Sequence, residues 1–535
     1  MIGAVSRDVH EFIVVGGGSA GCVIAGRLAQ AGHRVLLLEA GRNDDTPFIH
    51  MPGAFIRLFG TERVVMYRTT PQAHTGSRPL FVPQANTLGG GSAVNAMIYI
   101  RGTPEDYDEW RALGCDGWGW DDVLPVFKKS EANETLSGPY HGTDGPLKIG
   151  NAWCGLPANL AFIKAGQEIG LPYNHDFNGA RQEGVGLYQS TSFRGRRSST
   201  AAMYLAPVRG QPNLSIRTDC RVLRLVTEGT RVTGVVYRRR DGATVEVRAD
   251  RQVVLAAGAL ASPRILQLSG IGPAALLKEK GIPIVYDAPE VGENFQNHVE
   301  VPIHCRLKEA GSLLGQDKGF AALKHGLQYL LFRGGLLASN LCEAGAFVDT
   351  LKTGRPDIQL YLIPSLFGSG EWPAPPGHGV SICVSLLRPK SRGSVKVNSA
   401  DPDETILFDG GALTHQDDVD TLVRGVAVAR DILKAPSFAA MVSHEIFSTP
   451  EGAEDARVAD AFVRKYARPI SHVSGTCRMG SDAGAVVDTT LRVNGVSGLR
   501  VADASIVPKL ISGNTNAVSI LIGERCADFM MRSVN

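Results

Sequence analysis

Hydrophobic residues near the N-terminus of this chain follow first a strand pattern and then a helix pattern. Residues 12–15 are apolar, mostly β-branched and uninterrupted by polar side chains, which is typical of a strand buried in a parallel sheet. Small and apolar residues then recur every three or four positions over 20–31, which predicts a helix that Gly32 ends. A second apolar run, Val35–Leu38, leads to Glu39. The succession predicts a β-α-β unit.

The same two periods predict further strands and helices along the chain. Strand patterns occupy residues 215–217, 221–226, 232–238, 244–247, 253–258, 357–363, 380–387, 393–398 and 499–505. Helix patterns occupy residues 157–170, 262–268, 418–433 and 513–528, and the aromatic stretch 105–131 suggests a helical layer. Over residues 300–465, strand-like alternation followed by a long helix pattern favours an antiparallel sheet flanked by helices. The loop 368–379 is a candidate lid or entrance loop. The predicted fold class is therefore α/β.

Length and composition narrow the class of protein. A chain of 535 residues is too long for one ordinary core, so two or more domains are expected. The 55 basic and 53 acidic residues give a net charge of +2, which offers no electrostatic reason to expect nucleic acid as a partner. No apolar run approaches the length of a transmembrane helix, and a strand beginning by Phe12 leaves no room for a cleavable signal. We therefore expect a cytoplasmic protein, with loose membrane association left open.

The nine cysteines are scattered, odd in number and without a Cys-x-x-Cys pair. This pattern favours reduced thiols over a disulfide framework or a zinc site, so no metal is predicted. Cys477 is expected to be a packed thiol rather than a nucleophile.

The first chemical signal is the spacing Gly-x-Gly-x-x-Gly at Gly16, Gly18 and Gly21, between the first strand and its helix. Gly16 permits a tight turn, Gly18 lets the backbone approach a pyrophosphate, and Gly21 lets helix and strand pack closely. Glu39 ends the second strand, where a carboxylate can accept hydrogen bonds from a ribose. The acid favours NAD or FAD over NADP, and the motif alone does not separate NAD from FAD.

Four later stretches also carry candidate cofactor-binding or catalytic residues. Residues 86–102 form a second glycine-rich segment that could face the same cofactor. His472 stands among small residues in 471–480, and Asp503 ends the last strand pattern. The polar turn 513–517 precedes the final helix, whose N-terminus suits contacts to a phosphate.

Five motifs then occur in a familiar order: VVGGGSAG with LLLEAG, LGGGSAVNAMIYIRG, VVLAAGALASPRILQLSGIGP, HVSGTCRMG, and VADASIVP with GNTNA. The chain resembles the glucose–methanol–choline (GMC) oxidoreductases over nearly its whole length, in particular the bacterial choline-dehydrogenase-like branch. This resemblance implies FAD, alcohol oxidation and a Rossmann-like FAD-binding domain interleaved with a substrate domain built on the antiparallel sheet. The predicted FAD-binding domain comprises residues 1–155, 210–300 and 468–535, and the predicted substrate-binding domain comprises 156–209 and 301–467.

The resemblance also implies the site residues. Predicted cofactor contacts are Gly16, Gly18, Ser19, Ala20, Gly21, Glu39, Ala40, Gly91, Asn95, Ala96, Met97, Val222, Ala257, Asp503, Ala504, Asn514 and Thr515. His472 matches the catalytic histidine and Asn514 the second active-site position. An imidazole suits the base that takes the hydroxyl proton, while the hydride goes to the flavin N5. The predicted reaction converts an alcohol, in the leading interpretation a primary one, to an aldehyde or ketone.

This sequence departs from the family pattern at three places. Gln-Ala-Asn at 84–86 replaces a basic lead-in to the second glycine stretch, and Asn297 replaces an aspartate before His298. Val94 occupies the position where members with covalent flavin carry a histidine, so non-covalent FAD is predicted. Asn516, two residues after Asn514, is an alternative candidate to face the flavin ring.

Several alternatives stay open at this point. A hydroxynitrile-lyase-type cleavage on the same FAD scaffold is the second hypothesis, and a flavin-binding structural or sensor protein is the third. The substrate can be choline, a sugar, a polyether, or an aryl or furan alcohol; Glu343 and Trp372 are candidates for a choline pocket. The electron acceptor is a quinone, another acceptor such as a dye, or O2, with a dehydrogenase favoured, and the oligomeric state is open. Three other histidines are interpreted as structural or surface residues: His141, His175 and His298.

Overall fold

The computed structural model describes residues 10–151, 153–368, 372–447 and 456–533. Its first sheet has seven strands: Leu214–Arg217, Val35–Leu38, His10–Val15, Thr244–Leu255, Arg231–Arg239 and Cys220–Glu228 in spatial order, with Leu499–Val501 beside Thr244–Leu255. The strands around His10–Val15 are parallel and buried, as their unbroken apolar runs require.

The long strand Thr244–Leu255 joins two kinds of pairing. Its first half pairs antiparallel with Arg231–Arg239, which in turn pairs antiparallel with Cys220–Glu228. Its second half pairs parallel with His10–Val15 on one side and Leu499–Val501 on the other. Segments from both ends of the chain therefore meet on this strand.

The second sheet is antiparallel. In spatial order its strands are Val442–Glu445, Val299–Leu307, Gly379–Leu386, Ile358–Ile363, Ala344–Val348 and Gly184–Leu187, with Arg468–Pro469 on the edge of Val299–Leu307. The Gln416–Lys434 helix packs on this sheet, where a side chain at Gly425 would meet Val384 at 2.6 Å. Five two-stranded pairs complete the β structure: Val64–Arg68 with Phe81–Ala85, Glu131–Asn133 with Leu147–Ile149, Ser192–Phe193 with Arg196–Arg197, Ile271–Gly272 with Tyr286–Asp287, and Ser394–Lys396 with Leu407–Asp409.

The Ser19–Gln30 helix packs against the C-terminal Asn516–Arg532 helix. The ion pair between Arg27 and Glu524 (2.7 Å) ties them together, and the Tyr204 hydroxyl also donates to Glu524. The other α-helices are Pro47–His50, Gly91–Val94, Pro104–Ala112, Trp120–Ser130, Pro157–Glu168, Ala261–Leu268, Ala274–Glu279, Gly319–Phe332, Pro436–Ala439 and Ala456–Tyr466. Shorter 3-10 turns are Pro52–Leu58, Ala73–Thr75, Leu336–Ala338 and Ala504–Ile506, and Ala201–Leu205 is a π-helical turn.

The predicted fold class is confirmed, although several details differ from expectation. Four strands of the second sheet had no predicted counterpart: Gly184–Leu187, Val299–Leu307, Ala344–Val348 and Val442–Glu445. The strand predicted over 499–505 ends at Val501, because Asp503 accepts the Ser505 N–H and starts a 3-10 turn. The strand predicted over 393–398 covers only Ser394–Lys396. The Gly319–Phe332 helix had no predicted counterpart. Part of the predicted lid loop, residues 369–371, lies outside the described residues.

No helix in the described ranges is long and apolar enough to cross a membrane. Those ranges also contain no group of three or more His, Cys, Asp or Glu side chains arranged to hold a metal ion.

Candidate active site

One cavity of about 1360 Å³ runs between the two sheets and contains the predicted site. It exceeds the roughly 300–1,000 Å³ of ordinary small-molecule pockets, so it has room for a dinucleotide and a substrate together. Every predicted cofactor and catalytic residue except Gly21 lines its wall.

Gly21 lies under the first turn rather than on the cavity wall. A Cβ atom there would stand 1.9 Å from the Gly16 carbonyl oxygen, so its role is the close packing of helix against strand. Its inclusion among the direct cofactor contacts is corrected on this ground.

Gly18 differs from Gly21 because its side-chain direction is open, with only the Ala256 oxygen at 3.7 Å. It precedes the Ser19–Gln30 helix, which has no side-chain cap and no acid in its first turn. Such an N-terminus presents free N–H groups and the positive end of the helix dipole to an anion.

The Glu39 carboxyl group is buried at the end of Val35–Leu38. It accepts the backbone N–H groups of Gly17 (2.7 Å) and Gly41 (2.8 Å). Burial raises its pKa, and these two hydrogen bonds offset part of that rise. The carboxylate has lone pairs left over for ribose hydroxyls on the cavity side.

The second glycine stretch packs directly on the first. A Cβ atom on Gly90, whose φ is +52°, would lie 2.5 Å from the Gly18 Cα. Buried Arg197 holds the next turn through the Ser92 carbonyl (3.1 Å) and the Asn95 side chain (2.8 Å). Burial lowers the pKa of Arg197 to about 9, so it stays charged at neutral pH.

Asp503 lies just after the strand Leu499–Val501, at the carboxyl end of the parallel strands. Its carboxylate accepts hydrogen bonds from the Gly258 N–H (2.9 Å), the Ser262 hydroxyl (2.6 Å) and the Ser505 N–H (2.8 Å). These bonds fix the turns that carry Ala257 and Ala504 to the cavity wall.

The residues present fit a dinucleotide cofactor. The uncapped helix N-terminus and the open side of Gly18 suit a pyrophosphate, and Glu39 suits a ribose. Asn516 lines the cavity, and its buried Oδ1 has no hydrogen-bond partner among the described residues. An unpaired buried acceptor of this kind suits an N–H donor on a ligand.

At the predicted catalytic residues, a series of hydrogen bonds joins His298, His472 and Asn514. His298 Nε2 contacts the carbonyl oxygens of Leu387 (3.0 Å) and Ile511 (3.1 Å), and its Nδ1 lies 2.8 Å from His472 Nδ1. On its other side, His472 Nε2 lies 3.3 Å from Asn514 Nδ2.

The donor and acceptor in each of these hydrogen bonds can be assigned from the two carbonyl groups at one end. The carbonyls of Leu387 and Ile511 only accept, so His298 Nε2 carries a proton. Burial lowers the pKa of His298 to about 4, so its ring is neutral and Nδ1 holds a lone pair. His472 Nδ1 must then be the donor, which leaves His472 Nε2 with its lone pair facing Asn514.

Asn514 is oriented from the antiparallel sheet. Gln359, on the Ile358–Ile363 strand, donates from Nε2 to Asn514 Oδ1 (3.2 Å) and also to the Tyr188 hydroxyl (3.2 Å). Asn514 therefore presents its NH2 group to His472. Burial, and to a smaller extent neighbouring His298, lowers the pKa of His472 well below its usual value, so the imidazole is a neutral base.

The two residues predicted as candidates for a choline pocket do not lie on the cavity wall. Buried Glu343 accepts three hydrogen bonds at 2.6 Å, from the Cys154 N–H, Asn159 and Ser339, and it does not line the cavity. Trp372 packs against Tyr466, also off the wall.

The remaining singled-out side chains divide between core and surface. His141 is buried in an ionic cluster and His175 is exposed. Cys477 is fully buried, and burial raises the pKa of its thiol.

Comparison with known proteins identifies the family. Residues 10–300 match the N-terminal family model of the GMC oxidoreductases, and residues 389–523 match the C-terminal model. The chain belongs to the GMC oxidoreductase family. It is 40% identical over 536 residues to an alcohol dehydrogenase [acceptor] of Pseudomonas putida, covering 98% of this chain and 96% of that protein. It is 38% identical to an oxygen-dependent choline dehydrogenase of Sinorhizobium medicae, covering 97% and 95%.

Solved structures agree with this assignment. Pyridoxine 4-oxidase from Mesorbium loti superposes with a TM-score of 0.89 at 32% identity, covering 98% of this chain and 99% of that one. A formate oxidase of Aspergillus oryzae RIB40, studied for the modification of its FAD, gives a TM-score of 0.92 at 27% identity, covering 99% of each. The predicted family and the oxidoreductase class of this GMC protein are thus confirmed, and the family implies FAD.

Two residues of this GMC oxidoreductase site escaped sequence reasoning. His298 had been interpreted as a structural or surface residue, yet its ring contacts the ring of His472. Its place in the Asn294–His298 stretch was an available signal. Gln359 carried no motif signal at all, since only the sheet brings it to Asn514.

Proposed function

We propose that this GMC oxidoreductase holds FAD non-covalently in the cavity. The pyrophosphate would lie at the N-terminus of the Ser19–Gln30 helix, the ribose at Glu39, and the flavin beside the Gly91–Val94 turn and Asn516. Val94, which lines the cavity, offers no nucleophile for a covalent bond. When bound, FAD supplies the hydride acceptor that the oxidation needs. Release of all flavin into the supernatant on acid precipitation is the expected result.

We propose that the reaction is the oxidation of a primary alcohol to an aldehyde. The observation that carries this proposal is the pair of groups facing the cavity: the lone pair of His472 Nε2 and the NH2 group of Asn514, 3.3 Å apart. A substrate hydroxyl that replaces this contact and touches both groups would donate its proton to His472 and accept a hydrogen bond from Asn514. His472 thus takes the proton while Asn514 steadies the developing alkoxide and orients the carbinol carbon.

The chemistry around this pair favours an uncharged alcohol over choline. The carboxylate and aromatic ring considered for a choline pocket, Glu343 and Trp372, do not line the cavity. Glu300, which contacts the wall residue Tyr361, is itself paired with Arg468. The cavity wall includes Gln359 together with Ile98, Cys342, Tyr361 and Ile470, and among these described residues a trimethylammonium group would find no carboxylate.

A comparison of choline with its uncharged isostere, 3,3-dimethylbutan-1-ol, tests this substrate class. Anaerobic addition of the neutral alcohol should bleach the oxidised flavin, with kcat/KM roughly tenfold or more above that of choline. The His472→Ala variant should keep its FAD and lose roughly 10²–10⁴ of the bleaching rate.

Each competing hypothesis predicts a different result. A lyase would turn over with an unchanged flavin spectrum, and nothing in the relatives' names favours it. A sensor or structural role would leave the His472→Ala variant indistinguishable from wild type. Preference for choline would reject the uncharged pocket while keeping alcohol oxidation.

We propose dehydrogenase chemistry with a quinone or another acceptor rather than O2, in the cytoplasm. All nine cysteines are free, and eight of them are buried, which fits a reducing compartment. Reoxidation of the reduced enzyme by a water-soluble quinone, measured against air-saturated buffer, tests the choice of acceptor.

We also propose that residues 1–155, 210–300 and 468–535 form the FAD-binding domain, and 156–209 and 301–467 the substrate-binding domain. The parallel strands fall in the first set and most antiparallel strands of the second sheet fall in the second. The limit at residue 300 lies within the strand Val299–Leu307, so the domains share that strand.

A further inference from the structure

The Gly319–Phe332 helix turns its apolar stripe toward solvent. Five large side chains recur at spacings of three, four, three and one residues, which places them within about 100° of arc on one helix face. They are Phe320, Leu323, Leu327, Leu330 and Leu331, exposed by 81%, 58%, 50%, 69% and 71%. Tyr329, on the opposite side, is the buried residue of the helix and donates its hydroxyl proton to the Gly195 carbonyl (2.9 Å).

This arrangement reverses the usual amphipathic helix, which buries its apolar face against the core. Phe332, at the end of the helix, is also 76% exposed. Scattered exposed leucines need no explanation, but a contiguous stripe of five large apolar side chains marks an interaction surface.

Basic residues lie at one edge of the stripe and at the two ends of the helix. Lys318, Lys324 and Arg333 are exposed on this helix or at its ends. Between residues 310 and 342 the only acid in the sequence is Asp317, and Arg57 neutralises it at 3.1 Å. The surface therefore combines exposed apolar side chains with a cationic rim.

The apolar surface continues toward the cavity. The Leu336–Ala338 turn that follows the helix contacts the Pro52–Leu58 turn, where a Cβ atom on Gly53 would meet the Leu336 oxygen at 2.5 Å. Beyond that turn, Phe59, Val65 and Met66 are each more than 40% exposed and also line the cavity. The helix and the edge of the cavity thus belong to one apolar surface.

We propose that this surface docks on an anionic lipid bilayer, with the Gly319–Phe332 helix lying in the membrane–water interface. An outward stripe of Leu and Phe beside Lys and Arg is the composition of helices that lie on anionic membranes. At 14 residues the helix is about 21 Å long, too short to span the roughly 30 Å hydrocarbon layer. A twofold dimer through the same face would bring its cationic rim against itself, which disfavours a second copy as the occupant.

Vesicle flotation of the full-length holoenzyme tests the proposal without reference to its activity. The probes are vesicles of phosphatidylcholine alone and of phosphatidylcholine with phosphatidylglycerol. Wild type should float with the anionic vesicles, more weakly with the neutral ones, and less at high salt.

Two sets of variants separate the apolar stripe from the rim. The triple variant L323E/L327E/L331E should lose roughly tenfold or more of the binding. The K318E/K324E variant should lose binding to anionic vesicles, by about fivefold for each residue changed, and little to neutral ones. The matched control L160E/L351E changes leucines of 58% exposure elsewhere and should bind like wild type. FAD content and the thermal midpoint verify folding in each variant.

The proposal fails if wild type floats with neither vesicle, or if the stripe variant binds as tightly as wild type. It also fails if wild type dimerises in sedimentation velocity, the stripe variant is monomeric and neither binds lipid, since the surface would then join two copies of this chain.

Discussion

At the scale of single residues, the site depends on which nitrogen of His472 carries the proton. The two carbonyls behind His298 fix that choice, so the base is prepared before any substrate enters. A histidine without such a partner would divide between two tautomers, of which only one presents a lone pair to the hydroxyl.

The lowered pKa of His472 predicts a wide pH range of activity. Since burial keeps the imidazole neutral, kcat/KM for a neutral alcohol should stay level as pH falls through 6.5, the ordinary histidine pKa, and decline only at lower pH. A pH profile of kcat/KM checks this. Half-maximal activity at or above 6.5 would contradict it.

Loss of His298 should impair the base without removing it. We expect His298→Ala to lower kcat/KM roughly 10–100-fold, as loss of a residue that orients a functional histidine commonly does. The acid limb of the profile should also move to higher pH, because the neighbouring ring no longer lowers the pKa of His472.

Two variants distinguish this positioning role from a loss of stability. His298→Gln should recover part of the activity, because its amide oxygen can accept the His472 Nδ1 proton. His304→Gln removes another buried imidazole, one bonded to Ser381, and should leave kcat/KM within about twofold. An unshifted acid limb in His298→Ala would show that His298 acts on stability alone.

At the scale of elements, the turn between strand and helix admits no side chain at Gly21. Gly21→Ala should destabilise the protein by about 1–3 kcal/mol or more and reduce its FAD content, because helix and strand must separate. Gly326→Ala is the matched control within a helix: nothing lies within 4 Å of its side-chain direction, so we expect a gain of about 0.5–1 kcal/mol. Thermal unfolding and flavin absorbance measure both, and equal effects would refute the packing argument.

Local pattern predicted several elements whose apolar face is buried, although it missed the buried strands Val299–Leu307 and Ala344–Val348. The long helix on the antiparallel sheet, predicted over 418–433, is observed at Gln416–Lys434. The Gly319–Phe332 helix went unpredicted, although its stripe has helical spacing. Its apolar residues lie outside any core, so no packed neighbour supported the segment, although glycines at 315, 319, 334 and 335 flank it.

The same reasoning explains which site residues could be found. His472 and Asn514 stand in short motifs that local sequence reveals. Gln359 and Arg197 reach the site only through long-range packing, which orients Asn514 from a distant strand and holds the Asn95 turn by a buried cation. A sequence read one segment at a time does not contain such contacts.

At the scale of the whole molecule, a buried ionic cluster joins distant segments beside the second glycine stretch. Arg101 pairs with Glu131, and His141 bridges Glu131 and Asp176, each at 3.0 Å. Burial lowers the pKa of His141, but the hydrogen bonds that its ring donates to the two carboxylates outweigh this effect, so the net pKa is raised. Burial raises the pKa of Glu131 and of Asp176, yet their partners leave both lowered.

The directions of these pKa shifts predict how the stability of the protein depends on pH. The contribution of His141 is complete below about 6.5 and is lost as pH rises through its raised pKa, whereas that of the carboxylates is lost as pH falls through their lowered pKa values. Urea unfolding of wild type should therefore show a larger drop in stability from about pH 6 to pH 8.5 than His141→Gln shows. Equal drops in the two proteins would place the pH sensitivity elsewhere.

The meeting of both chain ends on Thr244–Leu255 has a consequence for biosynthesis. The strand Leu499–Val501 pairs with its second half, and the Asn516–Arg532 helix packs against the Ser19–Gln30 helix. A ribosome adding about 5–20 residues per second needs roughly 25–100 s between the first strand and this last one. During that interval the N-terminal unit lacks one wall of its cofactor site. We therefore expect ribosome-bound chains truncated before residue 499 to retain no FAD, and loading to follow release of the finished chain.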